Sequence, residues 1–333
     1  MKSQYVRELA EGARVDSQFA LGSKEMRSTR AGEAFLALEL GDRTGRIPAV
    51  YFRPTSEATA VPSGGVVRVR GVVSTYRGRK RISVEHLAPS AGYDPADLIE
   101  SSRRAQDEVV AEFKALAGTV RDREMRRILK TVFGDRGFFE RFVLCPGARA
   151  HHHAYLGGLI EHTLAVATLC RALGSAYPGV DTDLLLTAAL LHDVGKVDEL
   201  TYDTAVSYTD EGRMLGHVIL SERRLREAAG TLSPSLSAGL LTRLSHAVLS
   251  HHGEVEWGAP KRPSTIEALL LQHADDLDAK ASGFLSLTGG ASRAEERWTD
   301  AANLFRRPLY APAPPVDVRA VPNAEDARHL VRA

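Results

Sequence analysis

The stretch "LLHDVGKVDEL", Leu190–Leu200, ends an apolar run on a His–Asp pair, then a Gly and a Lys. Placing an ionisable group at the end of a buried segment is costly unless it has a partner. Other residues of this type recur at separate positions along the following chain. His162 lies on an apolar stripe of "LIEHTLAVATLCRAL" with Leu159, Val166, Leu169 and Leu173 at steps of three and four, the spacing of one helix face. His217 sits in "MLGHVIL", His251 and His252 stand together before Gly253, and Asp275 lies in "LQHADDLDAK". A single histidine of this kind reads as a hydrogen-bonded core residue. Seven such groups at five helix positions read as a metal site, because imidazole and carboxylate are the donors of Zn, Fe and Mn centres. Helical neighbours point about 100° apart, so His192 and Asp193 can share one cavity only near a helix end, which Gly195 is expected to make. A carboxylate has two oxygens, so Asp193 is placed to join two ions.

Around this core the chain divides in two. Of 333 residues, 44% are hydrophobic and 26% charged, as in globular proteins. No run approaches the ~18 apolar residues of a membrane span, and the N-terminal "MKSQYVRELAEG" has no apolar signal segment. Cys145 and Cys170 are the only cysteines; they make no disulfide framework and are expected as small core residues in a reducing cytoplasm. Residues 1–95 carry 15 Lys+Arg against 10 Asp+Glu, while ten of the twelve histidines fall between His151 and His273.

The basic part reads as strands. "RVDSQFALGS", "AFLALEL", "GRIPAVYF", "VVRVRGVVSTY" and "KRISVEHL" mix alternation with β-branched and aromatic residues. With "PTSEATA" as a short helix after the third strand, this is the order of an OB-fold barrel. Such barrels bind single strands through a charged groove and stacked rings. Arg68, Arg70, Arg77, Arg79, Lys80 and Arg81 supply charge; Phe35, Tyr51, Phe52 and Tyr76 supply rings. The bland alternative is that the rings are core and the arginines a solvated edge. "APSAGYDPAD" reads as a linker into an all-α part. The expected division is an all-β barrel at 1–90, linker 91–100, helical bundle 101–310, and a Pro/Ala-rich tail 311–333.

The order His162, His192-Asp193, Asp275 resembles the H…HD…D signature of the HD phosphohydrolase superfamily. "HDVGK" is also similar to the HD-GYP phosphodiesterases, but "HHGEVEWGAP" stands where GYP would follow. "HHHAYLGGLIEHTLAVA", "LLHDVGK", "GHVILSE", "LSHHGEVEWGAP", "EALLLQHADDLDAK" and the preceding OB-like part together resemble YhaM-type 3′-5′ exoribonucleases. The resemblance implies one metal on His162, His192, Asp193 and Asp275, and a second on Asp193, His217, His251 and His252. Some HD proteins bind a third ion through a Glu one turn before the first His; here that position is Gly158, which implies two divalent ions, Mn first, with Fe or Zn as alternatives. Lys196 would reach a phosphate oxygen or the attacking water, with Asp193 as the other catalytic residue. His153 is a candidate for contact with substrate phosphate, or one of a surface cluster with His151 and His152. His246 is expected beside the site or on the surface, His273 packed, and Asp278, which shares the Asp275 face, able to orient a ligand histidine. The implied activity is metal-dependent 3′-5′ hydrolysis of single-stranded RNA, with single-stranded DNA as a further substrate; an HD phosphohydrolase of nucleotides or dinucleotides, using the barrel for targeting, is the alternative. The sequence leaves a homo-oligomer open.

Overall fold

A computed structural model describes residues 2–29, 32–76, 78–149, 153–288, 297–301 and 303–311. Five strands, β1 (Arg14–Ser28), β2 (Ala34–Asp42), β3 (Gly45–Phe52), β4 (Val66–Tyr76) and β5 (Arg79–Pro89), close into a barrel of order β1-β2-β3-β5-β4. A short helix, α1 (Ser56–Ala60), follows β3 and is capped by the Thr55 hydroxyl. This is the OB-fold arrangement. Alternation places Ile47, Ala49 and Tyr51 of β3 inward with Phe19, Leu36, Leu40, Val69 and Ile82, while Arg46, Pro48 and Phe52 face out. Strand β1 extends five residues beyond its expected end, pairing with β2 as far as Ser28↔Ala34.

A turn of helix, α2 (Pro95–Leu98), lies in the expected linker. Then come α3 (Gln106–Ala117), α4 (Arg123–Gly134) and α5 (Arg136–Leu144), three helices absent from the elements picked out in the sequence. Their buried faces meet in a phenylalanine cluster, with Phe113 5.0 Å from Phe133 and 5.6 Å from Phe142 between ring centroids. The remaining helices are α6 (Gly158–Ala176), α7 (Thr182–Leu191), α8 (Lys196–Glu199), α9 (Asp210–Gly230), α10 (Ala238–Ser250) and α11 (Ile266–Thr288). A two-residue hairpin, β6 (Leu200–Thr201) with β7 (Ser207–Tyr208), joins α8 to α9. Cys145 and Cys170 are buried and free, as expected.

Helix α7 positions the site. Every residue from Leu184 to Leu191 is buried, and a helix apolar all round belongs at the centre of a bundle. Asp181 caps its start by accepting from Leu184 N–H. Its far end therefore delivers His192 and Asp193 into the interior, which is why the apolar run stops on those two residues.

The barrel and the helices as far as Asp278 form one compact unit, and Ala279–Ala333 a second. Within the first, Val66 of β4 packs with Leu98 and Ile99 and against Leu156, Tyr202 and Val206. Within the second, Phe284 meets Phe305 edge-on at 5.6 Å. No helix among the described residues is long and apolar enough to cross a membrane.

Candidate metal centre

The seven sequence-selected ligand candidates converge. Asp193 is 2% exposed and stands between two groups of imidazoles. On its Oδ2 side, His162 Nε2 and His192 Nε2 each lie 3.3 Å away. Asp275 Oδ1 is 3.1 Å from His162 Nε2 and 3.8 Å from His192 Nε2. On its Oδ1 side, His217 Nε2 lies at 3.4 Å and His251 Nε2 at 3.6 Å. His252 Nε2 is 3.1 Å from His217 Nε2. Among the described residues candidate ligand atoms fall into three trios, His162-His192-Asp193, His217-His251-His252 and His153-His162-Asp278, the last sharing His162 with the first.

All five imidazoles are held at the other nitrogen. His192 Nδ1 meets Ala189 O at 2.7 Å, His251 Nδ1 meets Val248 O at 2.7 Å, and His252 Nδ1 meets Trp257 O at 2.9 Å. A carbonyl oxygen can only accept, so each Nδ1 carries the proton. His162 Nδ1 is 2.7 Å from Asp278 Oδ2, and His217 Nδ1 is 3.0 Å from Glu199 Oε1. In the neutral ring every Nε2 then presents a lone pair inward. Two such pairs confront each other at short range, His162 with His192 at 3.3 Å and His217 with His252 at 3.1 Å. Opposed lone pairs repel unless a proton or a metal ion lies between them. Asp193 Oδ1 and His251 Nε2 are both buried without a hydrogen-bond partner, which is costly for any polar group left so. These residues fit divalent ions, with the outer carboxylates and carbonyls that orient ligand histidines.

Charge is arranged to suit. Burial favours neutral Asp193, but the Lys196 charge holds its carboxyl well below the usual range. Burial lowers the pKa of His251 and His252, and neighbouring histidines lower it further, so these rings stay neutral. Burial acts the same way on His162, yet Asp193, Asp275 and Asp278 outweigh it and raise its pKa. Asp278 is lowered to about 2: burial opposes ionisation, and bonds from His153 and His162 overcome it.

Lys196 Nζ lies 2.6 Å from Asp193 Oδ2, its side chain 12% exposed. It is thus an interior cation, with Asp193 holding its pKa up against burial, and not a surface lysine. Gly195 differs from expectation. Its φ of −67° is right-handed, so it is no left-handed helix cap. A Cβ there would come within 2.4 Å of His217 O and Ser221 N; the glycine lets α9 approach. His153 faces Asp278, with Nε2 3.0 Å from Oδ2; His151 and His152 lie outside the described residues. His246 Nε2 accepts from Ser264 N–H at 2.8 Å, and His273, expected packed, is exposed.

The barrel candidates scatter. Tyr51, expected at a groove, is 6% exposed and belongs to the barrel core, since it shares the inward parity of Ile47 and Ala49. Arg68 and Arg70 on β4 both pair with Asp16 on β1, at 2.7 and 3.3 Å. Lys80 Nζ donates to Leu9 O, and Arg77 lies outside the described residues. Tyr76 is 52% exposed beneath the Arg81 guanidinium, 4.4 Å from the ring centroid. Phe52 is 47% exposed and pairs across the strands with Phe35, centroids 5.5 Å apart. Beside them a groove of about 400 Å³ is lined by Arg27, Arg46 and Arg79 with Glu25 and Glu39.

Sequence reading missed Glu199, which accepts from both His217 N–H and, at 3.0 Å, His217 Nδ1. The signal was present: it is an acid buried in the same opening stretch, six residues after Asp193.

Residues 159–280 match the HD domain family. The chain is 32% identical over 274 residues to the 3′-5′ exoribonuclease YhaM of Bacillus velezensis, covering 81% of this chain and 86% of that protein. It is 33% identical to YhaM of Bacillus subtilis over the same length and shares. Among solved structures, the second OB-fold domain of replication protein A from Methanococcus maripaludis is similar at 20% identity and TM-score 0.23, covering 27% of this chain and 97% of that domain.

Proposed function

The chain belongs to the YhaM 3′-5′ exoribonuclease family, and on that premise we propose that it removes nucleotides from the 3′ end of single-stranded RNA, with single-stranded DNA as a further substrate. One observation carries the chemistry: a single buried carboxylate, Asp193, stands between two sets of imidazole nitrogens, His162 and His192 on its Oδ2 side and His217 and His251 on its Oδ1 side. His162, His192 and Asp275 would hold one divalent ion and His217, His251 and His252 the other, with Asp193 shared. When bound, the two ions supply Lewis-acid stabilisation of a phosphodiester and a water nucleophile at neutral pH.

The chain's own residues do the rest. Asp278 and Glu199, with the carbonyls of Ala189, Val248 and Trp257, fix which nitrogen of each ring is protonated. Lys196 holds a positive charge beside Asp193, where negative charge accumulates on the phosphoryl oxygens in the transition state. Strand choice would come from the barrel, whose exposed Phe52, Tyr76 and Arg79 offer stacking and charge on adjoining strands. Arg68 and Arg70 remain as a second basic strip. Mn is the expected metal, with Fe or Zn as alternatives. Two buried free cysteines support the cytoplasm as the compartment. The division at 1–90 and 101–310 stands as part of this reading.

The test is a gel of 5′-labelled single-stranded RNA with Mn²⁺. A ladder shortening from the 3′ end is expected, lost on chelation and in His192→Ala. An intact strand alongside hydrolysis of dinucleotides would replace this reading with the small-molecule one.

A further inference from the structure

The segment after the paired histidines, "GEVEWGAP", is used by the ligand scheme only through one backbone atom. The Trp257 carbonyl accepts from His252 Nδ1 at 2.9 Å. The Trp257 side chain is 60% exposed, in a 3-10 turn (Val255–Trp257) closed by Gly258 at φ 92°. Tryptophan is usually among the more buried residues, so an indole left in solvent next to a buried ligand calls for an occupant. On the other member of the pair, Met214 and Leu215 are 76% and 45% exposed, just before His217. Gly216 between them has φ 73° and breaks α9 into two helical pieces. That break brings His217 N–H and Nδ1 to Glu199 while leaving Met214 and Leu215 uncovered. His217 and His252 meet at 3.1 Å, so Met214 and Leu215, just before His217, and Trp257, whose carbonyl holds His252, stand on the two segments that carry this pair.

We propose that Trp257 stacks on the nucleobase next to the scissile phosphate, with Met214 and Leu215 as the neighbouring apolar surface. This rests on the exonuclease reading and adds to it a residue that positions the 3′ end. A phosphodiester at the His217–His252 side of the centre carries a base one sugar away. Every base offers a π-face, so a ring there grips any sequence equally, as stepwise removal of nucleotides requires. The hydrogen bond to His252 uses the backbone of Trp257, so the ring can be removed without touching the ligand.

The experiment crosses Trp257→Ala and Trp257→Phe with two oligonucleotides, one ending in an ordinary 3′ nucleotide and one in an abasic 3′ nucleotide. Trp257→Ala should lower kcat/KM about 5- to 100-fold on the ordinary end, the range for one base–aromatic stack, and leave the abasic end unchanged. Trp257→Phe should recover most of the loss, and metal content and melting temperature should match the parent. The chain has two tryptophans, Trp257 and Trp298; in a Trp298→Phe background, metal-free protein should show indole quenching by the ordinary oligonucleotide and not by the abasic one. Equal losses on both ends, no loss, absent quenching, or a change of oligomeric state in Trp257→Ala would each overturn the proposal. If the parent degrades no oligonucleotide, the exonuclease reading fails and quenching alone still decides the stack.

Discussion

Lys196 is the residue at which catalysis can be separated from metal binding. An ammonium has donors and no lone pair, so it cannot be a ligand, yet it sits 2.6 Å from the shared carboxylate. Lys196→Met should retain both ions and most oligonucleotide affinity while lowering kcat about 10²–10³-fold, the loss expected for one preorganised charge-stabilising donor. Lys196→Arg should recover part of it, because a planar guanidinium does not reproduce a point charge. Single-turnover rates and elemental analysis on the same preparations check both. Asp278 makes the complementary case. Asp278→Asn keeps the shape but weakens the hold on His162 Nδ1, and should cost about 10–100-fold in metal affinity. The same pair sets a pH dependence. His162 has its pKa raised, so it retains a proton above the ordinary histidine range. Its stabilising charge in the metal-free protein is fully present below about 6.5 and lost as pH rises through the raised value. An ion needs Nε2 free, so affinity should rise with pH through that same window, with proton release. Calorimetry in buffers of different ionisation enthalpy reads the released proton; a binding heat independent of buffer contradicts it.

Two glycines govern how the elements meet, and they differ in kind. At Gly195 the backbone is ordinary but the space is filled, with His217 O and Ser221 N 2.4 Å from a built Cβ. Gly216 has open space and a φ of 73°. Gly195→Ala must push α8 and α9 apart, at about 1–3 kcal/mol for overpacking, and should carry His217 with it. Gly216→Ala meets no neighbour but must hold φ 73° and ψ 155°, a region essentially reserved for glycine, at about 1–3 kcal/mol. Both should lower the melting temperature, and Gly195→Ala should show the greater loss of metal from the His217 side. The elements also show what was legible beforehand. Strand alternation and the positions of His162, His192-Asp193, His217, His251-His252 and Asp275 could be read directly, since each sits on a periodic apolar segment. Three of the groups holding the imidazoles are backbone carbonyls, of Ala189, Val248 and Trp257, and no side-chain pattern encodes those. Tyr51 was open to correct reading by parity with Ile47 and Ala49; its aromatic identity was given more weight than its phase. Helices α3 to α5 hold no ligand candidate, yet α4 was legible, since Met125, Ile128, Leu129 and Val132 recur at the spacing of one helix face; what no periodicity shows is that Phe113, Phe133 and Phe142 from three helices meet.

For the whole molecule, the question is how the barrel serves a centre held by the helices. The barrel shares apolar packing with the helical body through Val66, Leu98, Ile99 and Leu156, and the Thr204 hydroxyl donates to Gly64 O. Deleting residues 1–90 would uncover that surface and confuse binding with folding, so surface substitutions are the cleaner probe. Phe52 and Arg79 are exposed on adjoining strands and make different kinds of contact with a single strand. Phe52→Ala removes a stacking face and should weaken oligonucleotide binding about 5- to 100-fold, equally at low and high salt. Arg79→Ala removes a phosphate contact and should weaken binding mostly at low salt, reducing the slope of log affinity against log salt by about 0.7, the value for one neutralised phosphate on a single strand. Neither touches the ions, so both variants should hydrolyse bis-p-nitrophenyl phosphate at the parental rate. Arg68→Ala, on the β1–β4 side and already paired with Asp16, distinguishes the two basic strips. A slope unchanged in Arg79→Ala and reduced in Arg68→Ala would move the strand to the β1–β4 side of the barrel.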